Sequence, residues 1–330
     1  MTMEIGGGRA RTMPAQVMAL VILAAWVVRP AAAQDTAAAP APPAAPPAAT
    51  PTATKPPDTE IHLLPLRVRA GVVSLGSPVN ITRRVGYDNQ PSFTPDGRAV
   101  LYTSIRTDAQ ADIYRYQIGS RVTTRVTATP ESEYSPTVMP GGRWISVVRV
   151  EADSTQRLWR MTLDGTDFRL LLDRVKPVGY HAWGDARTLA LFVLGDPATL
   201  QIADLRSGDA HTVASAIGRS LHRIPGSRAI SFVQTRSADE WWIDRLELRT
   251  GRITPLVRTL PGCEDYAWTP QGIALMARGD SIYQWTPGRA GGWRSVGTAG
   301  LGAGGGRISR MAVSPLGDLL AIVAEEPAAR

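Results

Sequence analysis

Ser92-Phe93-Thr94-Pro95-Asp96-Gly97-Arg98, followed by the apolar run Ala99-Val100-Leu101-Tyr102, reads as a tight turn between two short strands. Proline fixes φ and glycine takes φ > 0, while the flanking residues are β-branched or aromatic in runs too short for helices. The phrase recurs. Thr137-Val138-Met139-Pro140-Gly141-Gly142-Arg143 leads into Trp144-Ile145-Ser146-Val147-Val148, and Ile224-Pro225-Gly226-Ser227-Arg228 into Ala229-Ile230-Ser231-Phe232-Val233. Trp268-Thr269-Pro270-Gln271-Gly272 leads into Ile273-Ala274-Leu275-Met276, and Val313-Ser314-Pro315-Leu316-Gly317-Asp318 into Leu319-Leu320-Ala321-Ile322-Val323. A weaker copy, one residue short, is Trp183-Gly184-Asp185-Ala186-Arg187. The five turn prolines are spaced 45, 85, 45 and 45 residues apart, the 85 covering two units. A repeat of this length marks a solenoid, a propeller or an array.

Each unit continues with a third strand patterned apolar-x-x-apolar-x-apolar, as at Ile113, Tyr116, Ile118 and at Ile243, Leu246, Leu248. A turn follows (Asp164-Gly165, Ser207-Gly208, Thr250-Gly251), then a fourth strand such as residues 122–127. Four strands per unit, repeated radially, make an all-β, six-bladed β-propeller with blades of about 45 residues. Six units need about 270 residues by that arithmetic, and residues 59–330 number 272. The last unit stops after its second strand. Ile61, Leu64 and Leu66 supply the third-strand pattern and Val72-Val73-Ser74-Leu75 the fourth, so the amino-terminal strands are expected to complete the last blade. Such closure removes open sheet edges.

Upstream, residues 1–33 hold Arg9 and Arg11, an apolar run over 15–28 and Ala31-Ala32-Ala33, the three parts of a secretory signal peptide with cleavage expected after Ala33. Retention as an anchor is the alternative. Residues 34–58 are mostly Ala, Pro and Thr, an extended linker. The propeller then occupies 59–330. An exported chain is periplasmic or secreted. Its formal charge of +7 comes mostly from scattered arginine, with no basic stripe interleaved with aromatics, so no nucleic-acid partner is expected. No stretch of eighteen apolar residues occurs, so no stable membrane span is expected after cleavage. The lone Cys263 allows no intramolecular disulfide.

Gly86-Tyr87-Asp88-Asn89-Gln90-Pro91-Ser92-Phe93-Thr94-Pro95-Asp96-Gly97, with Asp112-Ile113-Tyr114-Arg115-Tyr116 downstream, resembles the TolB-type propeller repeat. The resemblance covers residues 59–330 as repeats. It implies a periplasmic ring that binds envelope proteins. The Ala/Pro linker stands where TolB has a separate α/β domain, which sets a Tol-system role apart.

No Gly-x-Ser-x-Gly elbow, His-Glu-x-x-His, Walker loop or dinucleotide fingerprint is present; Gly218-Arg219-Ser220-Leu221-His222 lacks the second glycine. In a propeller the loop entering each innermost strand faces the central channel. Those loops carry Tyr87, Asp88 and Asn89; Glu133 and Tyr134; Tyr180 and His181; Arg219 and His222; Glu264, Asp265 and Tyr266; Arg307 and Arg310. Their convergence would make a channel-mouth site for a ligand or a partner's tail. The expected function is an exported binding or scaffold protein of the bacterial cell envelope, acting on an envelope or periplasmic protein or a small ligand, as a monomer and without a cofactor. The alternative is a metal-dependent propeller enzyme of the lactonase or lyase kind, since mixed carboxylates and histidines can hold a metal. Trp183 and Trp268, in the slot of Phe93 and Val138, are expected in the core, and one of Trp241 and Trp242 at the surface.

Overall fold

The Pro-x-Gly phrases are hairpin turns: Gly97, Gly142, Gly226, Gly272 and Gly317 all take φ near +70°. A computed structural model describes residues 56–106, 110–302 and 306–325, and all their regular structure is strand. The signal-peptide and linker readings fall on residues outside this set, apart from the last few of the linker.

The chain enters as β1 (Thr59–Arg69), β2 (Val72–Leu75) and β3 (Val79–Asn80), then β4 (Tyr87–Phe93), β5 (Ala99–Ile105), β6 (Ala111–Gln117) and β7 (Val122–Arg125). An antiparallel sheet follows from β8 (Ser132–Val138), β9 (Trp144–Val150), β10 (Gln156–Thr162) and β11 (Arg169–Leu170). The next holds β12 (Val178–Trp183), β13 (Thr188–Val193), β14 (Thr199–Asp204) and β15 (Ala210–Ser215). Then come β16 (Ile217–Arg223), β17 (Ala229–Ser237), β18 (Glu240–Glu247) and β19 (Ile253–Arg258). β20 (Tyr266–Trp268), β21 (Ala274–Arg278), β22 (Ser281–Trp285) and β23 (Arg294–Thr298) form a further sheet. β24 (Ile308–Val313) and β25 (Leu319–Glu325) end the described chain.

The amino-terminal strand does pair with the carboxy-terminal hairpin. β1 runs antiparallel to β25 over seven residue pairs, Ile61 opposite Val323 and Leu64 opposite Leu320, and β2 pairs with its far end, Leu66 opposite Leu75. A short β3, not foreseen from sequence, adds to β1 as well. One parallel bridge, Thr59 to Tyr87, joins this group to the β4–β7 sheet.

Cores lie between neighbouring sheets. Leu158 and Val178 share one cluster, and Leu200 and Phe232 another. Two polar clasps cross these interfaces. The Trp183 indole N–H donates to Ser146 Oγ at 2.9 Å, and the Trp268 N–H donates to Ser231 Oγ at 2.8 Å. Ser146 and Ser231 are 85 residues apart, as are Trp183 and Trp268. Ser231 also accepts from the Tyr266 hydroxyl at 2.8 Å. Both tryptophans are thus buried, as expected, but by a hydrogen bond as well as by packing. Trp241 and Trp242 are both half-buried, and Trp242 is capped by Arg236 at 4.7 Å.

Ser231→Ala will cost about 2–6 kcal/mol, because it orphans two buried donors at about 1–3 kcal/mol each. Urea unfolding measures this. Adding Tyr266→Phe and Trp268→Phe should recover part of the loss, since removing both partners of a buried bond is nearly neutral; no recovery would refute the clasp.

Candidate functional site

The first strand of each sheet repeat (β4, β8, β12, β16, β20 and β24) lines one cavity of about 800 Å³. Its residues run from Gln90, Ser135, Tyr180, Arg219, Asp265 and Arg310 at one end to the proline turns at Pro95, Pro140, Pro225 and Pro315. Its walls between are largely apolar, with Phe93, Met139, Leu221, Trp268 and Val313.

Irregular register aims these side chains. β4 slips between Asn89 and Ser92, β8 between Tyr134 and Thr137, β12 between Val178 and Tyr180, β16 between Ile217 and Leu221, and β24 between Ile308 and Arg310. A bulge bends the strand and re-aims the residues beside it. Gln90 and Ser135 sit in these bulges at φ +58° and +53°, a region that L residues other than Asn and Asp seldom adopt. The Gln90 amide oxygen accepts from the Thr103 hydroxyl at 2.8 Å and the Ser135 N–H at 2.7 Å, tying β4 to the next sheet.

The charged end is a network across β12, β16, β24 and the segment just before β20. Arg219 donates to Asp265 Oδ2 from Nε at 3.1 Å and from a terminal nitrogen at 2.5 Å, and to the Ser309 carbonyl at 3.2 Å. Glu264 Oε1 stands 3.3 Å from Arg219 Nε. Ser220 donates to Asp265 Oδ1 at 3.0 Å, and Arg310 lies 3.9 Å from the same oxygen. Arg310 also donates to the Tyr180 hydroxyl at 2.7 Å. Burial pushes the Asp265 carboxyl up, but Arg219 and Arg310 outweigh it and hold it below the usual carboxylate range. Burial raises the Tyr87 phenol, with Arg310 opposing and Tyr180 and Tyr134 adding to the rise; of the three tyrosines only Tyr180 lines the cavity.

Other expected site residues lie elsewhere. Asp88 is fully buried and paired with Arg84 at 2.9 Å, its backbone bonded to Thr59. The Asn89 side chain accepts from the next backbone N–H. Glu133 is fully buried, taking a hydrogen bond from Thr129 at 2.5 Å with Arg149 at 3.3 Å. None of these three lines the cavity. Arg307 stands at 3.9 Å from Glu325. Tyr266 is spent on Ser231, and its ring meets the His222 ring edge-on at 4.7 Å. His181 and His222 do line the cavity. Burial lowers both to about 4, so both are neutral at pH 7. His181 Nε2 is 2.7 Å from Ser146 Oγ. Sequence reasoning missed Gln90, Ser135 and Ser220; the Gln90-Pro91 and Ser135-Pro136 pairs, where proline withholds an N–H from the ladder, were the available signal.

Burial also pushes the Glu133 carboxyl up to about 7, against Thr129 and Arg149. A raised carboxyl stabilises the fold where it is protonated; that contribution is present below the ordinary 4.5 and lost as pH rises through about 7. Glu133→Gln, which cannot ionise, should therefore gain in melting temperature relative to the parent between pH 5 and 8. A difference that stays flat over that range would show that Glu133 ionises normally.

No family model matches the chain. An uncharacterised protein of Agrobacterium fabrum is 33% identical over 106 residues, 31% of this chain and 34% of that protein, so the match spans about a third of that relative's length. Among solved structures, a TolB candidate from Agrobacterium tumefaciens superposes with a TM-score of 0.65 at 15% identity, covering 82% of this chain and 99% of that one. TolB from Acinetobacter baumannii gives 0.54 at 14% identity, covering 82% and 66%. An oligogalacturonate lyase in complex with manganese gives 0.51 at 13% identity, covering 76% and 80%. The fold is therefore a TolB-like β-propeller, as the repeat resemblance implied, and at these identities the likeness is one of fold.

Proposed function

We propose that this chain is an exported, six-bladed propeller that binds or scaffolds in a bacterial cell envelope. It would hold a small ligand or a partner's chain segment in the cavity where its six first strands meet. The observation that carries this reading is the convergence of Tyr180, Arg219, Asp265 and Arg310, from four segments far apart in sequence, on one large cavity. Arg219 and Asp265 are held as an ion pair within the network, which suits a preformed binding surface rather than an acid–base pair held at different protonation states. The TolB-like fold supports a periplasmic setting, and the terminal pairing of β1 with β25 supports a ring whose last blade is shared.

The manganese-bound lyase raises the metal-dependent alternative. Among the described residues no three His, Cys, Asp or Glu side chains come together as a metal site. The cavity's Asp265 is bonded to Arg219, and the two histidines of the lining engage Ser146 and Tyr266. These residues do not fit a metal centre.

The test is a partner and metal census on the full chain, expressed with its own leader, cross-linked in cells and purified. Mass spectrometry should find one enriched envelope or periplasmic protein, or a co-purifying small molecule. Stoichiometric metal with neither would overturn the proposal in favour of the enzyme.

A further inference from the structure

The binding reading leaves the ligand's chemistry open, and the inference below rests on that reading. Three arginines line the cavity (Arg219, Arg223 and Arg310) against one carboxylate, Asp265. Arg219 is consumed by Asp265, Glu264 and the Ser309 carbonyl. Arg310 is not. A guanidinium carries five N–H donors. Arg310 spends one on the Tyr180 hydroxyl, lies over the Tyr180 ring at 4.7 Å, and meets Asp265 at the long distance of 3.9 Å. The Tyr180 oxygen accepts that bond, so its own O–H proton remains to be donated. Arg223 lies further along the same strand, exposed, with no side-chain hydrogen bond or ion pair among the described residues. It lies four residue steps along the strand from Arg219, about 13 Å at roughly 3.3 Å per residue. The cavity therefore has donors at its inner end, an unpaired cation nearer the proline turns, and apolar walls between.

We propose that the cavity is a carboxylate site, binding a carboxylate at the tip of a slim apolar body. Arg310 and the Tyr180 hydroxyl take its oxygens, and the body lies along Leu221, Trp268 and Met139. Arg223 attracts the anion on entry and gives the association rate its salt dependence. Charge-assisted bonds to a guanidinium suit a carboxylate's paired oxygens, and a neutral amide of the same shape offers only one acceptor. The same chemistry is found on a free organic acid and on the carboxyl terminus of a protein chain.

Trp183 and Trp268 line the cavity and give a fluorescence signal for binding. The full chain would be titrated with octanoate and octanamide, and with Ac-Ala-Val-Leu-Ala carrying a free or an amidated carboxyl end. The acids should bind at least tenfold more tightly than their amides. Arg310→Gln should erase that ratio, and Arg223→Gln should slow association and weaken its salt dependence. Circular dichroism melts would confirm that each variant is folded. Preference for octanoate would mark a free acid as the source, and preference for the peptide acid a chain terminus. Equal affinity for acid and amide, or no response to either acid, would overturn the carboxylate assignment and leave the binding reading standing. A partner from the census whose cross-links all lie away from the cavity would overturn the binding reading itself.

Discussion

A chain beginning after Leu75 will have no cooperative unfolding transition. β1 is an interior strand, with β25 on one side and β2 and β3 on the other. Its side chains staple two cores. Ile61 and Leu63 pack in a cluster with Val100, Tyr102 and Val323, while Leu64 and Leu66 pack with Leu275, Ile282 and Ile322. Burying four such side chains is worth about 1.5–3 kcal/mol each. Their sum rivals the roughly 5–15 kcal/mol by which a whole domain is stable. The truncation also strips β25 of one of its two partners and exposes a hydrophobic edge that pairs with other chains. Thermal melts followed by circular dichroism, with size-exclusion chromatography, would show a broad or absent transition and soluble aggregates. Leu64→Asp should reproduce the defect by burying an unpaired charge. Arg67→Ala, on the same strand but exposed, should leave the melt unchanged. A truncated monomer melting at the parent temperature would refute the role given to β1.

That role was legible because it rests on pattern. The apolar-x-x-apolar-x-apolar spacing of Ile61, Leu64 and Leu66 is written in residue type, and the Pro-x-Gly turns give the repeat its frame. The site was legible only in part, for a physical reason. Position in a loop brings a residue near the cavity, but a bulge decides which neighbour faces it. In β4 the bulge presents Gln90 and leaves Asp88 with Arg84. In β8 it presents Ser135 and leaves Glu133 with Arg149. Neither Gln90 nor Ser135 is a glycine, so nothing in its type announces the positive φ it adopts. Arg84 precedes β4 by a few residues and Arg149 stands opposite Glu133 in the β8–β9 hairpin, so each pairing depends on the exact strand start and register. The Ser146 and Ser231 clasps were equally hidden, since a serine in an apolar strand reads as a tolerated small residue.

Asp265→Ala will destabilise the protein by about 3–5 kcal/mol at pH 7, the range for removing one partner of a buried ion pair. Arg219 is only 9% exposed. Without Asp265 it keeps Glu264 and the Ser309 carbonyl, but its shortest contact is gone and Arg310 now repels it uncompensated. Ser220 loses its acceptor too. The effect has a pH signature. A carboxyl held below its ordinary 3.8 contributes stability that is fully present above that value and lost as pH falls through the lowered one. The difference between parent and variant in urea unfolding should therefore be constant from pH 7 down to about 4.5 and shrink below it. Pairing Asp265→Leu with Arg219→Met should restore much of the stability, because apolar replacements of a whole buried pair are often neutral or better. A single-variant loss below 1 kcal/mol would mean that water screens the pair. The double variant then separates stability from recognition. It removes the compensated pair and leaves Arg310 and Tyr180 in place, so a folded protein that still prefers acids to amides would show that Arg219 and Asp265 are scaffold and that Arg310 carries the ligand.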